Sequence, residues 1–188
     1  MKRLFIVGGM AATSLWGVGC GAGTIVNQPS TSAPQTSASP TPTAVAAAAA
    51  HVGATLTLNG TDPGEKLQIT LVKIVDPSKS ASQYFVPAAG MHEVALEFRY
   101  KNVGTATYSQ SILTDITVQD AVSHSYPIDI AGDTTAGPGF PGDMINIGSG
   151  ESADGFVTFQ VPTGTPITGV KVGLDYGFGG DTGEWLVP

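Results

Sequence analysis

The sequence has one cysteine, few charged side chains and few aromatic ones. Among its 188 residues, 12% are charged and 7% are aromatic, and Cys20 is the single cysteine. One cysteine has no partner within the chain, so an intramolecular disulfide is excluded. Lys and Arg number eight against 15 Asp and Glu, and apart from Lys2 and Arg3 they form no cluster. The basic surface that nucleic-acid binding requires is missing, and we expect no nucleic-acid partner.

The first residues have the layout of an export signal. Lys2 and Arg3 precede an uncharged apolar run over residues 4–18, and small residues follow. A positive start, an apolar stretch and a small-residue end are the three parts of a secretory signal peptide. The alternative is a membrane-spanning helix that extends through Val26, and the six glycines of residues 4–26 weaken it.

Cys20 ends the small-residue part of this segment. The sequence Gly17-Val18-Gly19-Cys20 resembles the lipobox of bacterial lipoproteins, with glycine where leucine is more usual at the first position. The resemblance implies that residues 1–19 are a lipoprotein signal peptide and that an acylated Cys20 anchors the protein to the cell membrane from outside the cytoplasm. Several acyl chains hold a protein firmly, whereas one myristoyl chain does so only marginally. The alternative is a cysteine discarded with the signal, which leaves a secreted protein.

Residues 20–50 are predicted to be a disordered tether. After Cys20 they are rich in Ser, Thr, Pro and Ala, and they contain no charged and no aromatic residue. Such a composition buries too little apolar surface to offset the entropy of ordering the chain. A flexible chain of about 30 residues spans on the order of 30 Å. Residues 51–188 remain as one folded domain.

Alternation of apolar and polar residues dominates the predicted domain. The clearest strand is HEVALEFRYKN at residues 92–102, in which every charge falls on one side and predicts a solvent-exposed face. Further segments with a period of two lie at 54–60, 66–76, 111–120, 124–130, 155–161 and 170–178. Turn residues separate them, and no segment has a helical period. The pattern predicts an all-β fold, an immunoglobulin-like antiparallel β-sandwich of about seven strands.

Two longer motifs carry a family resemblance. EVALEFRYKNVGTATYS (residues 93–109) contains an N-V-G turn after an alternating strand, and GSGESADGFVTFQVPTG (residues 148–164) contains G-E-S-x-x-G-x-V-x-F-x-V-P. They resemble the immunoglobulin-like domain of unknown function found in predicted lipoproteins and small secreted antigens of Gram-positive bacteria, especially actinobacteria. We expect Asn102 and Gly104 to form a turn that needs positive φ angles. The family implies a fold and a location, and no activity.

Two stretches, 77–92 and 131–150, are longer than ordinary hairpin loops and are the candidate interaction surface. Their apolar residues available for exposure are Tyr84, Phe85, Phe140 and Met144. The simpler alternative is that these residues pack over the open ends of the sandwich. Trp185 is more simply a core or edge residue of the sandwich, and a second candidate surface is an aromatic patch that it would form with Tyr176 and Phe178 among glycines.

Residues that would carry catalysis or hold a metal are sparse. The sequence has no G-x-S-x-G motif to accompany its three histidines, so we expect no enzyme and no cofactor. Weak candidates for calcium ligands are Asp133, Asp143, Glu151 and Asp154 around the glycine-rich stretch. Their spacing fits no calcium-loop consensus, and solvated turn acids are the simpler interpretation.

The sequence therefore predicts a lipid-anchored or secreted envelope protein that acts as a non-enzymatic binding module. Its partners would be the membrane, through the lipid, and an unidentified protein or ligand of the envelope or environment. The alternatives are a calcium-binding or small-solute-binding extracellular module and, more remotely, an envelope hydrolase.

Overall fold

The structure is a computed structural model that describes residues 50–112, 114–142 and 144–188. These residues belong to one compact unit. The predicted signal peptide, Cys20, the tether up to residue 49, and Asp143 lie outside the described residues. Within the described ranges, no helix has the length and apolar character needed to cross a bilayer.

The described chain is built from strands and one short 3₁₀ turn. The strands are β1 (Ala50–His51), β2 (Thr55–Asn59), β3 (Lys66–Ser78), β4 (Met91–Asn102), β5 (Tyr108–Gln110), β6 (Ile116–Asp120), β7 (Ser125–Pro127), β8 (Ile145–Ile147), β9 (Ser152–Pro162), β10 (Ile167–Val172) and β11 (Gly183–Leu186). The 3₁₀ turn spans Asp175–Gly177, between β10 and β11.

Two main sheets form a sandwich, which confirms the predicted all-β fold class. One sheet has the order β1-β11-β10-β6-β7 and the other the order β2-β3-β4-β9, while β5 and β8 form a small ladder of their own. All pairs are antiparallel except β1 with β11. The pairing of β4 with β9, and of β6 with β10 and β11, corresponds to strands B and E and to strands C, F and G of the immunoglobulin fold.

The core lies between the sheets and is filled by alternate side chains of the long strands. Trp185 of β11 meets Phe98 of β4 edge-on, with ring centroids 6.3 Å apart. The other fully buried side chains of the core include Tyr100, Tyr108, Phe159, Leu67, Ile69, Leu71, Leu96, Ile112, Ile116 and Ile145.

Several predicted strands agree with the structure, and others do not. The segments at 54–60, 66–76, 92–102 and 155–161 correspond to β2, β3, β4 and β9. The prediction of one strand over 170–178 is wrong after Val172, because β10 ends there and the 3₁₀ turn follows. The stretch 131–150, predicted as loop, contains β8. The described residues thus hold eleven strands rather than about seven, since strands of two to four residues show too little alternation to be recognised.

The expectation that the charged face of β4 is solvent-exposed is only partly right. Glu93 and Ala95 of that face are buried. The chain after β7 pairs with the edge of β9 through bridges from Ile128 to Phe159 and from Gly139 to Phe156. Between these bridges Gly132 and Gly137 lie against the side chains of Thr158 and Phe156, on the same face as Glu93. Burial raises the pKa of Glu93, and the hydroxyl groups of Ser78 and Thr134 nearby partly oppose the rise.

The turn after β4 is required for a different reason than predicted. Neither Asn102 nor Gly104 has a positive φ angle, whereas Gly64 and Gly150 do, at 92° and 83°. A Cβ atom on Gly104 would overlap the carbonyl oxygen of Gly64, so the glycine permits a close backbone approach. Asn102 holds the same turn through its buried side-chain amide, with Oδ1 accepting from Gly104 N at 2.9 Å.

Candidate functional site

The two long loops meet at one end of the sandwich, where β3 ends and β4 begins; we call it the loop end. Ser80 and Thr134 form a β-bridge. Ala81 N donates to Asp133 O at 3.0 Å, and Thr135 N donates to Lys79 O at 2.8 Å. Two segments that are distant in sequence therefore form one surface.

The tip of the first loop exposes three consecutive apolar residues, which we call the apolar tip. Tyr84 is 80% exposed, Phe85 55% and Val86 61%. Ser80 Oγ donates to Phe85 O at 2.9 Å, and Tyr84 N donates to Ser82 Oγ at 3.1 Å. These bonds fold the loop back on itself, so the apolar side chains are presented by an ordered turn.

The other two candidate interaction residues differ from each other. Met144 is exposed, as the sequence suggested. Phe140 is half-buried and packs edge-on against the buried Tyr100, with ring centroids 5.7 Å apart. Phe140 therefore follows the packed alternative and is not presented for contact, because its ring closes over the side of the core.

A groove of about 390 Å³ lies at the loop end, beside the first loop. Its wall on one side comes from the end of β3 and the start of β4, and on the other from the turn between β9 and β10. Thr163 N donates to Gly90 O at 2.9 Å and so joins this turn to the first loop. The lining residues are Asp76, Pro77, His92, Thr163, Gly164, Thr165 and Pro166.

An imidazole and a carboxylate form the polar part of the groove. His92 Nε2 lies 2.8 Å from Asp76 Oδ1. The other ring nitrogen, Nδ1, is buried and has no hydrogen-bond partner among the described residues. Acid–base catalysis of hydrolysis requires a nucleophile or water held against that free nitrogen. The hydrogen bond between His92 and Asp76 fixes the orientation of the imidazole ring beside the groove.

Sequence reasoning missed this groove. It considered His92, but it gave no role to Asp76, because the pairing arises only when the end of β3 lies beside the start of β4. His124 was the other histidine considered, and its Nδ1 lies 3.3 Å from Asp120 Oδ2. Asp120 also accepts from the amides of Val122 and His124 and from Tyr126 Oη, so this pair stabilises the hairpin between β6 and β7.

The weak metal-ligand candidates have other partners. Asp154 Oδ1 accepts from Arg99 Nε at 2.7 Å, and Glu151 Oε2 accepts from Gly148 N at 2.9 Å. Asp133 Oδ1 accepts from the neighbouring amide of Thr134 at 2.9 Å. Across residues 50–112, 114–142 and 144–188, no three His, Cys, Asp or Glu side chains are grouped to hold a metal ion. The structure gives Asp133, Glu151 and Asp154 roles in turns and an ion pair.

Trp185 occupies the core position that the sequence favoured for it, so the candidate aromatic patch loses this member. Trp185 is only 1% exposed, and its Nε1 donates to Ala54 O at 3.0 Å. Its position in β11 directs the ring between the sheets, so it belongs to the core. Tyr176 and Phe178 are exposed on the turn between β10 and β11, and any contact surface there consists of these two.

Comparison with known proteins supports the fold. No family model matches the chain, and no curated protein matches it. Among solved structures, it is similar to MPT63, a secreted protein from Mycobacterium tuberculosis, with 19% identity and a TM-score of 0.50 over 74% of this chain and 97% of that one. The described part is thus a β-sandwich of the class to which MPT63 belongs, and at this identity the likeness concerns the fold alone.

Two further structures are more distant. The ycdA protein of Bacillus subtilis, a lipoprotein candidate by its name, matches with 15% identity and a TM-score of 0.48 over 67% of this chain and 38% of that one. An uncharacterized β-sandwich protein from Clostridium difficile matches with 9% identity and a TM-score of 0.41 over 75% of this chain and 95% of that one.

Proposed function

We propose that the protein is a non-enzymatic binding module, displayed outside the cytoplasm and anchored to the cell membrane by lipid on Cys20. The signal-like residues 1–19 and the lipobox resemblance support the location. The secreted protein MPT63 has a similar fold, which is compatible with an extracytoplasmic domain. The motifs at residues 93–109 and 148–164 support membership of the immunoglobulin-like family of unknown function.

The observation that carries the binding role is the apolar tip at the loop end of the sandwich, the end at which the groove also lies. Large side chains exposed together on an ordered turn are uncommon on a surface that contacts only water, and such patches mark interaction sites. Aromatic residues at the centre of an interface supply most of its binding energy. Tyr84 and Phe85 would act as anchors for an envelope protein, and the groove with His92 would accept a segment of the same partner.

The arrangement of His92 supports a non-enzymatic role. A nucleophile activated by histidine lies within hydrogen-bond reach of the ring nitrogen that is not held by the carboxylate. No hydroxyl or thiol of the described chain forms a hydrogen bond to His92 Nδ1. The groove therefore offers a partner a concave surface and one polar pair of fixed orientation, His92 with Asp76.

The binding surface can be tested with a double substitution, Tyr84→Ser with Phe85→Ser. We expect recovery of the partner from an extract of the native envelope to fall at least tenfold, because two aromatic anchors are lost. Both side chains are exposed, so the melting temperature should change little. Phe178→Ser, which removes an exposed ring elsewhere, is the matched control and should retain recovery. Equal recovery by the double variant and the wild type would assign binding to another surface.

The anchor is tested separately. Mass spectrometry of the native protein should find a mature N terminus at Cys20 that carries a diacylglycerol group. Cys20→Ala should move the protein from the membrane fraction to the soluble fraction, because acylation requires the sulfur. An unmodified thiol, or membrane association of the alanine variant equal to that of the wild type, would contradict the lipid anchor.

A further inference from the structure

Three carboxyl groups are buried at the end of the sandwich opposite the loop end, which we call the acidic end. Glu65 is 7% exposed, Asp115 8% and Asp175 5%. Glu65 lies just before β3, Asp115 just before β6, and Asp175 on the 3₁₀ turn after β10. We call these three residues the carboxyl cluster.

Backbone contacts bring the cluster together. Asp175 Oδ2 accepts from Thr61 N at 2.6 Å, and Glu65 Oε2 accepts from Asp62 N at 3.3 Å. Both carboxyl groups abut Gly60, since a Cβ atom there would lie 3.0 Å from Asp175 Oδ2 and would overlap Glu65 Oε2. The carbonyl oxygen of Asp115 accepts from Gly173 N at 2.8 Å, which places Asp115 beside the start of the turn that carries Asp175.

Much of the cluster is not neutralised by hydrogen bonds or by cations. Both carboxyl oxygens of Asp115 and Asp175 Oδ1 are buried without a hydrogen-bond partner among the described residues. The ion pairs of the described chain involve other acids, and none pairs a Lys, Arg or His with the cluster. Buried carboxylates without such partners are costly to ionise.

Lys66, the residue after Glu65, lines the same surface depression as Glu65 but forms no ion pair with the cluster. The other titratable groups that act on the cluster are acids and tyrosines. The hydroxyl groups of Tyr108 from β5 and Tyr100 from β4 are buried and equally without a described partner. Asp62 lies on the turn between β2 and β3, where its charge acts on Glu65. Asp181 lies after the 3₁₀ turn, where its Oδ2 accepts from Asn59 Nδ2 at 2.6 Å. Neutral or acidic groups therefore face the cluster from each of these elements.

This environment raises the pKa values of two members of the cluster, Asp115 and Glu65. Burial raises the pKa of Asp115, and the charge of Asp175 adds to the rise. The amides of Tyr176 and Gly177 and the hydroxyl of Thr114 lie near enough to oppose it, although they do not reach hydrogen-bond geometry. Burial also raises the pKa of Glu65, the Asp62 amide partly opposes this, and Asp175 adds to it. Stability that comes from these protonated groups is present at low pH and is lost as pH rises through the raised pKa values.

The turn that covers the cluster has an unusual backbone. Asp175, Tyr176 and Gly177 have φ angles of 55°, 59° and 79°, so three consecutive residues are left-handed. Non-glycine residues adopt this conformation at a cost, and it persists where surrounding contacts impose it. Here the contacts include the bond from Thr61 N to Asp175 and the bonds from Asn59 to Asp181. Hydrogen bonds to the carboxyl groups of Asp175 and Asp181 therefore help to hold the turn against Asn59 and Thr61.

We propose that the carboxyl cluster is a proton-operated latch for residues 174–181, the latch segment. While the cluster retains a proton, the latch segment stays docked on the turn between β2 and β3. When the cluster is fully ionised, repulsion of Asp175 by Glu65 and Asp115 releases the segment from that turn. The device lies at the opposite end from the apolar tip and does not depend on the proposed binding surface.

Hydrogen exchange of the full chain tests the latch between pH 4 and pH 8. Each rate is divided by the intrinsic rate of the same peptide, which removes the ordinary pH dependence of exchange. In the wild type, protection of residues 174–181 should fall at least tenfold as pH rises, while peptides from β4 remain protected. Asp115→Asn keeps the shape of the side chain and removes its charge, so protection should depend much less on pH. Asp154→Asn, at an exposed acid paired with Arg99, is the matched control and should behave as the wild type.

Three outcomes would overturn the latch. One is equal pH dependence in the wild type and Asp115→Asn, and another is constant protection of the wild-type segment across the range. The third is protection restored at neutral pH by millimolar calcium in the wild type, which would make the cluster a cation site. If Asp115→Asn does not fold, Glu65→Gln provides the same comparison, because it neutralises another member of the cluster.

Discussion

Trp185→Ala is expected to lower the free energy of unfolding by about 3–5 kcal/mol, the range for large aromatic side chains removed from a core. The indole is 1% exposed and belongs to one sheet, while Phe98, which it meets edge-on, belongs to the other. Removing it leaves a cavity at the contact between the sheets and also removes the hydrogen bond from Nε1 to Ala54 O. Both effects act in the same direction.

Urea denaturation followed by circular dichroism measures this change. Phe178→Ala is the matched control, because Phe178 was assigned to the same aromatic patch but is 80% exposed. Its free energy of unfolding should stay within about 0.5 kcal/mol of the wild type. A loss below 1 kcal/mol for Trp185→Ala, or equal losses for both variants, would contradict the core position of Trp185.

Asn102→Ala is expected to cost about 3 kcal/mol. The side chain is fully buried, and Nδ2 donates to Ala106 O and Ile147 O, both at 2.8 Å. Truncation leaves both carbonyl groups without this donor in a buried place, and each such loss costs about 1–3 kcal/mol. The bond from Gly104 N to Asn102 Oδ1 is lost as well. The side-chain amide of Asn102 thus joins the turn after β4 to β8. No other motif found in the sequence predicted this contact.

Asn146→Ala is the control for this variant. Asn146 lies in β8 beside Ile147, but its side chain is exposed, so the alanine should have little effect. The same denaturation experiment compares the two. Equal stability of Asn102→Ala and Asn146→Ala would mean that the buried amide does not hold the turn.

The long strands could be predicted because their sequence pattern is repeated often enough to be specific. β4 and β9 are twelve and eleven residues long, and apolar residues alternate with polar ones along them. A pattern of that length strongly favours a strand within a sheet. β5 and β8 have three residues each, so their pairing depends on contacts with distant parts of the chain. The burial of Glu93 was missed for a related reason, since the segment that covers it begins more than 30 residues later in the sequence.

The candidate site residues likewise divide into those that the sequence could identify and those that depend on contacts between distant parts of the chain. Tyr84 and Phe85 were identified from the length of their loop, and their exposure follows from the lack of a strand around them. For Phe140 and Trp185 the sequence left exposure and burial open, because neighbouring glycines indicate a turn but do not determine where a ring points. The pairing of Asp76 with His92, and the meeting of Asp115 with Asp175, arise from strand register and turn geometry. No local motif records these contacts.

The pairing of β1 with β11 has a practical consequence for affinity tags. Ala50 lies opposite Trp185, and Val187 N donates to Thr168 O at 3.0 Å, two residues from Pro166 of the groove. A tag fused after Pro188 would emerge next to that groove and near the place where the chain enters the domain. Such a fusion would shield the surface that a capture experiment is meant to offer. A cleavable tag, or one inserted at the acidic end, would leave it accessible.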